Sequence, residues 1–175
     1  MRSKPAAFSL LELVIAIVII AILAILLIPV ISTLRARAQR AQCAANLRNL
    51  YVAANLYLQE KGNWPQIRLT GDDDSASQAY AKQWIDALKP FGAVEKTWIC
   101  PTVQSQTESD YTKPENVRTD YFAMPFDDKP ATPHQWPRQP WFAEVGDVHG
   151  NGNLIVFADG SISDLKTIAA SPGPK

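Results

Sequence analysis

LVIAIVIIAILAILLIPVI, residues 13–31, runs for nineteen positions without a charge or a hydroxyl, and apolar character reaches back through Leu11 and Leu10 to Phe8. At about 1.5 Å per helical residue, residues 8–31 extend roughly 36 Å, enough to cross a hydrocarbon core of about 30 Å. The stretch predicts a transmembrane helix. A secretory signal has an apolar core of only about 7 to 15 residues and a small-residue cleavage site after it, a role that Ala36-Arg37-Ala38 suits poorly. The remainder is polar by comparison, because mean hydropathy over the 175 residues is only -0.10.

The balance of 17 basic and 17 acidic side chains gives zero net charge, which argues against a chain that coats nucleic acid. With two cysteines and two histidines, the composition holds at most one disulfide and too few ligands for a self-contained structural zinc site plus anything else. The length suits one modest domain besides the span. Charge bias across the span is ambiguous. Arg2 and Lys4 precede it while Arg35, Arg37, Arg40 and Arg48 follow it, so counting Lys and Arg alone would put the C-terminal part in the cytoplasm.

Glu12 lies four residues inside the apolar stretch, where an ionised carboxylate is costly and marks a functional position. It needs a cation or a proton, and none is supplied between Phe8 and Ile31. A cut before Phe8 would create one, since the new ammonium group and Glu12 would stand at i and i+4, one helical turn apart. The same pairing can form between neighbouring copies. A snorkelling or protonated Glu near the interface is the structural alternative.

Ala7-Phe8-Ser9-Leu10-Leu11-Glu12, after a short basic leader and before an apolar helix, resembles the prepilin cleavage and methylation motif of type IV pilins and type II secretion pseudopilins. Ala7 stands where that family usually has Gly. The resemblance implies a leader of residues 1–7, cleavage between Ala7 and Phe8 by a prepilin peptidase, N-methylation of Phe8, which keeps its charge, and a role for Glu12 in docking into a filament. It also implies a single-pass inner-membrane chain with a periplasmic C-terminal domain, or an extracellular one in an assembled filament. The partners would be sister subunits, the inner-membrane assembly platform and lipid. Pro29 falls where many pilin helices kink, as a proline inside a helix predicts.

The helix is expected to continue as an amphipathic segment over residues 32–62, because Cys43, Leu47, Leu50, Tyr51, Ala54 and Leu58 recur at three- and four-residue steps. Lys61-Gly62-Asn63-Trp64-Pro65 carries its stop signals. The predicted fold class is α+β and pilin-like, a long N-terminal helix packed on a small antiparallel sheet, with residues 63–175 as the head. Within the head, a second helix is read over residues 77–89. The Gly71-Asp72-Asp73-Asp74-Ser75 loop is read as a solvated turn or helix N-terminus rather than a calcium site. KTWIC, residues 96–100, is read as a short strand ended by Pro101. Residues 125–141, with five prolines, are read as an irregular excursion tethered by Trp136 and Trp141. Strands over residues 144–149, 154–158 and 161–165 would form a meander, followed by a frayed tail.

His149, then nine residues, then Asp159-Gly160 is similar to a C-terminal domain found in bacterial prepilin-like proteins. Cys43-Ala-Ala-Asn46, Trp64-Pro65 and Ile99-Cys100-Pro101 are similar to the same subgroup. Asp159-Gly160 reads as a tight hairpin turn, while the role of His149 stays open between closing a turn and joining Asp147 and Asp159 around a metal. The structural use is favoured, so no metal and no cofactor is expected. In an oxidising periplasm Cys43 and Cys100 are expected to form a disulfide, with two separate buried thiols as the alternative. Arg37, Arg40 and Arg48 share about one third of the helix circumference and are read as contacts for headgroups or a neighbouring subunit rather than for nucleic acid. There is no nucleophile elbow, Gly-rich phosphate loop or paired carboxylate, so no enzyme is expected. The functions that remain are a processed filament subunit, an anchored binding module that never polymerises, and an inward-facing regulator.

Overall fold

The computed structural model describes residues 10–150 and 152–171. The expected leader, Ala7, Phe8 and residues 172–175 lie outside them. The chain divides into two compact units, Met1–Ala38 and Gln39–Lys175. One helix, α1 (Leu10–Lys61), contributes to both. Its 52 residues end where expected: Gly62 adopts φ +77 and its N–H returns to the Leu58 carbonyl at 2.9 Å, closing the last turn. In the first unit every described side chain of α1 is exposed, including Leu13, Ile17, Ile20 and Ile31. Pro29 falls within the helix.

In the second unit α1 presents one buried stripe, Cys43, Leu47, Leu50, Ala54 and Leu58, at the helical spacing the sequence shows. The rest of the wall is a four-stranded antiparallel sheet in the order β1 (Tyr121–Ala123), β2 (Pro140–Glu144), β3 (Leu154–Phe157) and β4 (Ile162–Asp164). All four residues of β3 are buried, so LIVF is the core strand that its apolar run predicts. A second helix, α2 (Asp74–Leu88), adds Tyr80, Trp84, Ile85 and Leu88. It starts three residues before the expected position because Asp73 caps it, accepting the Ala76 N–H at 2.8 Å. The aspartate run is therefore a helix N-terminus.

Four readings are corrected. KTWIC is no strand: a 3-10 turn, Glu95–Trp98, drives Trp98 inward, only Ile99 and Cys100 are extended, and Pro101 opens a short helix, α3 (Pro101–Gln106). Proline lacks the N–H that a first helical residue leaves unused, so it starts this helix rather than merely ending a strand. The strand expected at residues 144–149 lies upstream, because Pro140 and Trp141 already belong to β2. Pro140 is tolerated as the strand's first residue beside a bulge. Trp141 is fully buried with its Nε1 donating to the Pro133 carbonyl at 2.7 Å, but Trp136 is 59 % exposed and anchors nothing. After β4 the chain forms a helix, α4 (Leu165–Ala170), capped by Asp164, where a frayed tail was expected.

Four indoles fill the centre of the head. Trp64 lies 5.1 Å from Trp141, 5.8 Å from Trp84, 5.7 Å from Phe142 and 5.0 Å from Phe126, ring centre to ring centre. Removing so large a buried ring leaves a cavity that its rigid neighbours fill poorly. Trp64→Ala is expected to lower the unfolding free energy of the head by about 3–5 kcal/mol, and Trp136→Ala by less than about 0.5 kcal/mol. Urea unfolding of the detergent-solubilised chain, followed by near-ultraviolet circular dichroism, checks both.

Candidate functional site

Glu12 is in the first turn of α1, exposed, within the one helix that is long and apolar enough to cross a membrane. Its partner in the sequence reading, the Phe8 amine, lies outside the described residues. The described side chains around it, from Leu10 to Ile31, are otherwise apolar and exposed.

The second constellation is in the head. Cys43 comes from the buried stripe of α1, Cys100 from the residue before α3, Glu144 from the last position of β2, and His149 from the loop after it. One ligand atom from each lies within 4.8 Å of the other three. The Cys43 and Cys100 sulfurs are 2.6 Å apart, and both residues are free cysteines. Cys100 Sγ is 3.9 Å from Glu144 Oε1 and 3.9 Å from His149 Nε2, and those two atoms are 3.1 Å apart. The Glu144 and His149 side chains are 1 % and 4 % exposed.

Local structure explains each placement. Asp120 accepts the Cys100 N–H at 2.8 Å and the Arg118 Nε–H at 3.1 Å, holding the end of the 95–100 segment against β1. Pairing of Tyr121 with Glu144 across β1 and β2 sets Glu144 at the sheet end. Its Oε2 accepts the Leu154 N–H at 3.0 Å. Asn46, one turn along α1 from Cys43, donates to the Ile99 carbonyl at 2.9 Å and to Tyr121 Oη at 3.3 Å. Burial, then the nearby Cys43, raises the Tyr121 pKa, so the hydroxyl keeps its proton.

The two thiols share their proton unequally. Cys100 is lowered to about 6, first by its contact with Cys43, against the effect of burial. Cys43 is raised, first by that same contact and then by burial.

The sequence reading brings Cys43 and Cys100 together, as the structure does, but it misses Glu144. A single acid at a strand end carries no sequence signal. Asp147 and Asp159 do not join His149: Asp147 accepts the Gly150 N–H at 2.8 Å and Asp159 the Ser161 N–H at 2.8 Å. Asp159-Gly160 is the tight turn expected, and it also docks on α1. Gly160 has φ +76, its carbonyl accepts from Arg48 at 3.3 Å, and a Cβ there would lie 3.0 Å from the Tyr51 ring. Arg40 is engaged too, by Asp164 at 2.5 Å. Asp164 is held below the usual carboxylate range, first by the Thr167 N–H and side chain and then by Arg40. Two of the three arginines read as a cationic stripe are thus committed to the head.

Residues 2–28 match the family model of the prokaryotic N-terminal methylation motif. The match ends before the head. No curated protein and no solved structure matches the chain.

Gly160→Ala is expected to cost about 1–2 kcal/mol from the left-handed backbone alone, and more where Tyr51 must move. Thermal unfolding of the head in the full chain checks this, and the double variant with Tyr51→Ala is expected to recover the steric part only.

Proposed function

We propose that the chain is a pilin-like subunit, cut between Ala7 and Phe8 by a prepilin peptidase, N-methylated on Phe8, anchored by residues 8–31 and assembled through that helix into a type IV pilus or type II secretion filament. The observation that carries the reading is the methylation-motif match over residues 2–28. A helix with uncovered apolar side chains on all its described faces in unit one supports it, because such a surface needs lipid before assembly and sister helices after it. The head is then periplasmic, or extracellular in the filament. Its work is mechanical, and the motif points to a structural subunit rather than an enzyme.

Glu12 is the residue on which assembly depends in this reading. A carboxylate among apolar helices is costly until an amine meets it, and the amine freed at Phe8 is one turn away in the same chain or reachable from the next. The alternative, an anchored module that never polymerises and holds a ligand at the loop of residues 136–141 or the His149 region, has Trp136 exposed and Trp141 buried on that loop.

N-terminal mass spectrometry of the native protein is expected to find N-methylated Phe8 as the first residue. A chain that retains Met1 beside an active prepilin peptidase would overturn the proposal. Glu12→Gln is expected to leave processing intact and to lower filament yield about tenfold or more, read by shearing and immunoblotting.

A further inference from the structure

We propose that Cys43, Cys100, Glu144 and His149 are the four ligands of a structural zinc ion that ties α1 to the sheet of the head. The four donor atoms converge on one point from four separate segments of chain, all within 4.8 Å of one another. A tetrahedral zinc with sulfur at about 2.3 Å and nitrogen or oxygen at about 2.0–2.2 Å sets its ligand atoms about 3.3–3.8 Å apart. The distances of 3.9, 3.9 and 3.1 Å among Cys100, Glu144 and His149 are within a few tenths of that. The sulfurs, at 2.6 Å, must separate by about 1 Å to share an ion at tetrahedral angles, or close by about half an ångström to bond at about 2.05 Å. Their spacing does not choose between the two arrangements. Their surroundings do.

A disulfide is neutral and makes no use of a buried carboxylate and a buried imidazole beside its sulfur. Here both lie at the sulfurs, nearly shielded from solvent. Glu144 Oε1 faces His149 Nε2 at 3.1 Å, each within 3.9 Å of the Cys100 sulfur, while Glu144 Oε2 accepts the Leu154 N–H at 3.0 Å. A buried carboxylate and a buried imidazole set against two cysteine sulfurs complete the ligand set of a closed four-coordinate site. Two thiolates, a carboxylate and a neutral imidazole around a divalent ion leave one net negative charge in the interior, which the Leu154 N–H on Glu144 helps to offset. Two soft sulfurs with one nitrogen and one oxygen, in a closed buried site, select zinc over magnesium or calcium. Metal release by a chelator would therefore loosen the attachment of α1 to β2 and α3 together.

The test uses the full-length chain extracted from membranes in detergent without reductant. Elemental analysis is expected to find about one zinc per chain, and maleimide labelling after denaturation is expected to find both thiols free. Replacement by cobalt is expected to give a thiolate-to-cobalt charge-transfer band and the intense visible bands of a tetrahedral site. His149→Ala and Glu144→Gln are each expected to weaken zinc binding about tenfold or more in competition with a chromophoric chelator, whereas His134→Ala, on an exposed turn, is expected to leave it unchanged. A folded chain without metal overturns the proposal, whether its sulfurs are bridged or free. So does zinc whose affinity is the same in His149→Ala as in His134→Ala. The cobalt spectrum of the unsubstituted chain decides the matter even where a variant fails to fold.

Discussion

Leu47, Leu50 and Ala54 on α1 are completely shielded from solvent, and what shields them is the tryptophan-rich core beneath a four-stranded sheet whose strands are only three to five residues long. Strands so short have little stability by themselves. Their side chains gain it from a continuous apolar wall, with each buried leucine worth about 1.5–3 kcal/mol. The stripe from Cys43 to Leu58 is that wall. Everything else in the head is arranged around keeping it covered.

Polar attachments flank the stripe and set how the sheet lies on it. Arg40 holds Asp164 at the end of β4, while Arg48 and Tyr51 hold the turn between β3 and β4 through the Gly160 and Ala158 carbonyls. Asn46 reaches the Ile99 carbonyl and Tyr121. Individually the partly exposed contacts of Arg40, Arg48 and Tyr51 contribute little, whereas those of Asn46 are buried. Their value is positional, because each selects one placement of a short strand on a helix whose apolar face would accept several. The Cys43, Cys100, Glu144 and His149 cluster occupies the remaining corner, where α1, the start of α3 and the end of β2 meet.

The N-terminal part of α1 has the opposite problem. Its described side chains have no cover within their own unit, so apolar surface that the head hides internally must here be hidden by lipid or by other helices. In the proposed reading Glu12 makes that surface selective, since an ionised carboxylate there favours neighbours that bring a positive charge. A single helix thus carries two different burial requirements, one met by its own chain and one left for its surroundings.

Elements governed by neighbouring residues were legible in the sequence. The apolar run, the helical period from Cys43 to Leu58, the Gly62 stop, the aspartate cap of α2, the LIVF strand and the Asp159-Gly160 turn all follow from spacing and backbone preference, which act over a few residues. The N-terminal motif is equally local. Strand β1, with three residues and no period to read, exists because β2 lies beside it, and β2 itself begins at a proline that only an available neighbour makes acceptable. Glu144 illustrates the same limit at the candidate site, being ordinary in sequence and remarkable in nothing but what folding brings to it. Cys43 and Cys100 are 57 positions apart, and Glu144 and His149 join them only after the sheet register and the helix stripe are both satisfied. Local chemistry determined the long helix, its stop, the LIVF strand and the Asp159-Gly160 turn; strands β1 and β2 and the meeting of distant side chains were decided by packing, since no short-range preference encodes which buried groups come to share one point.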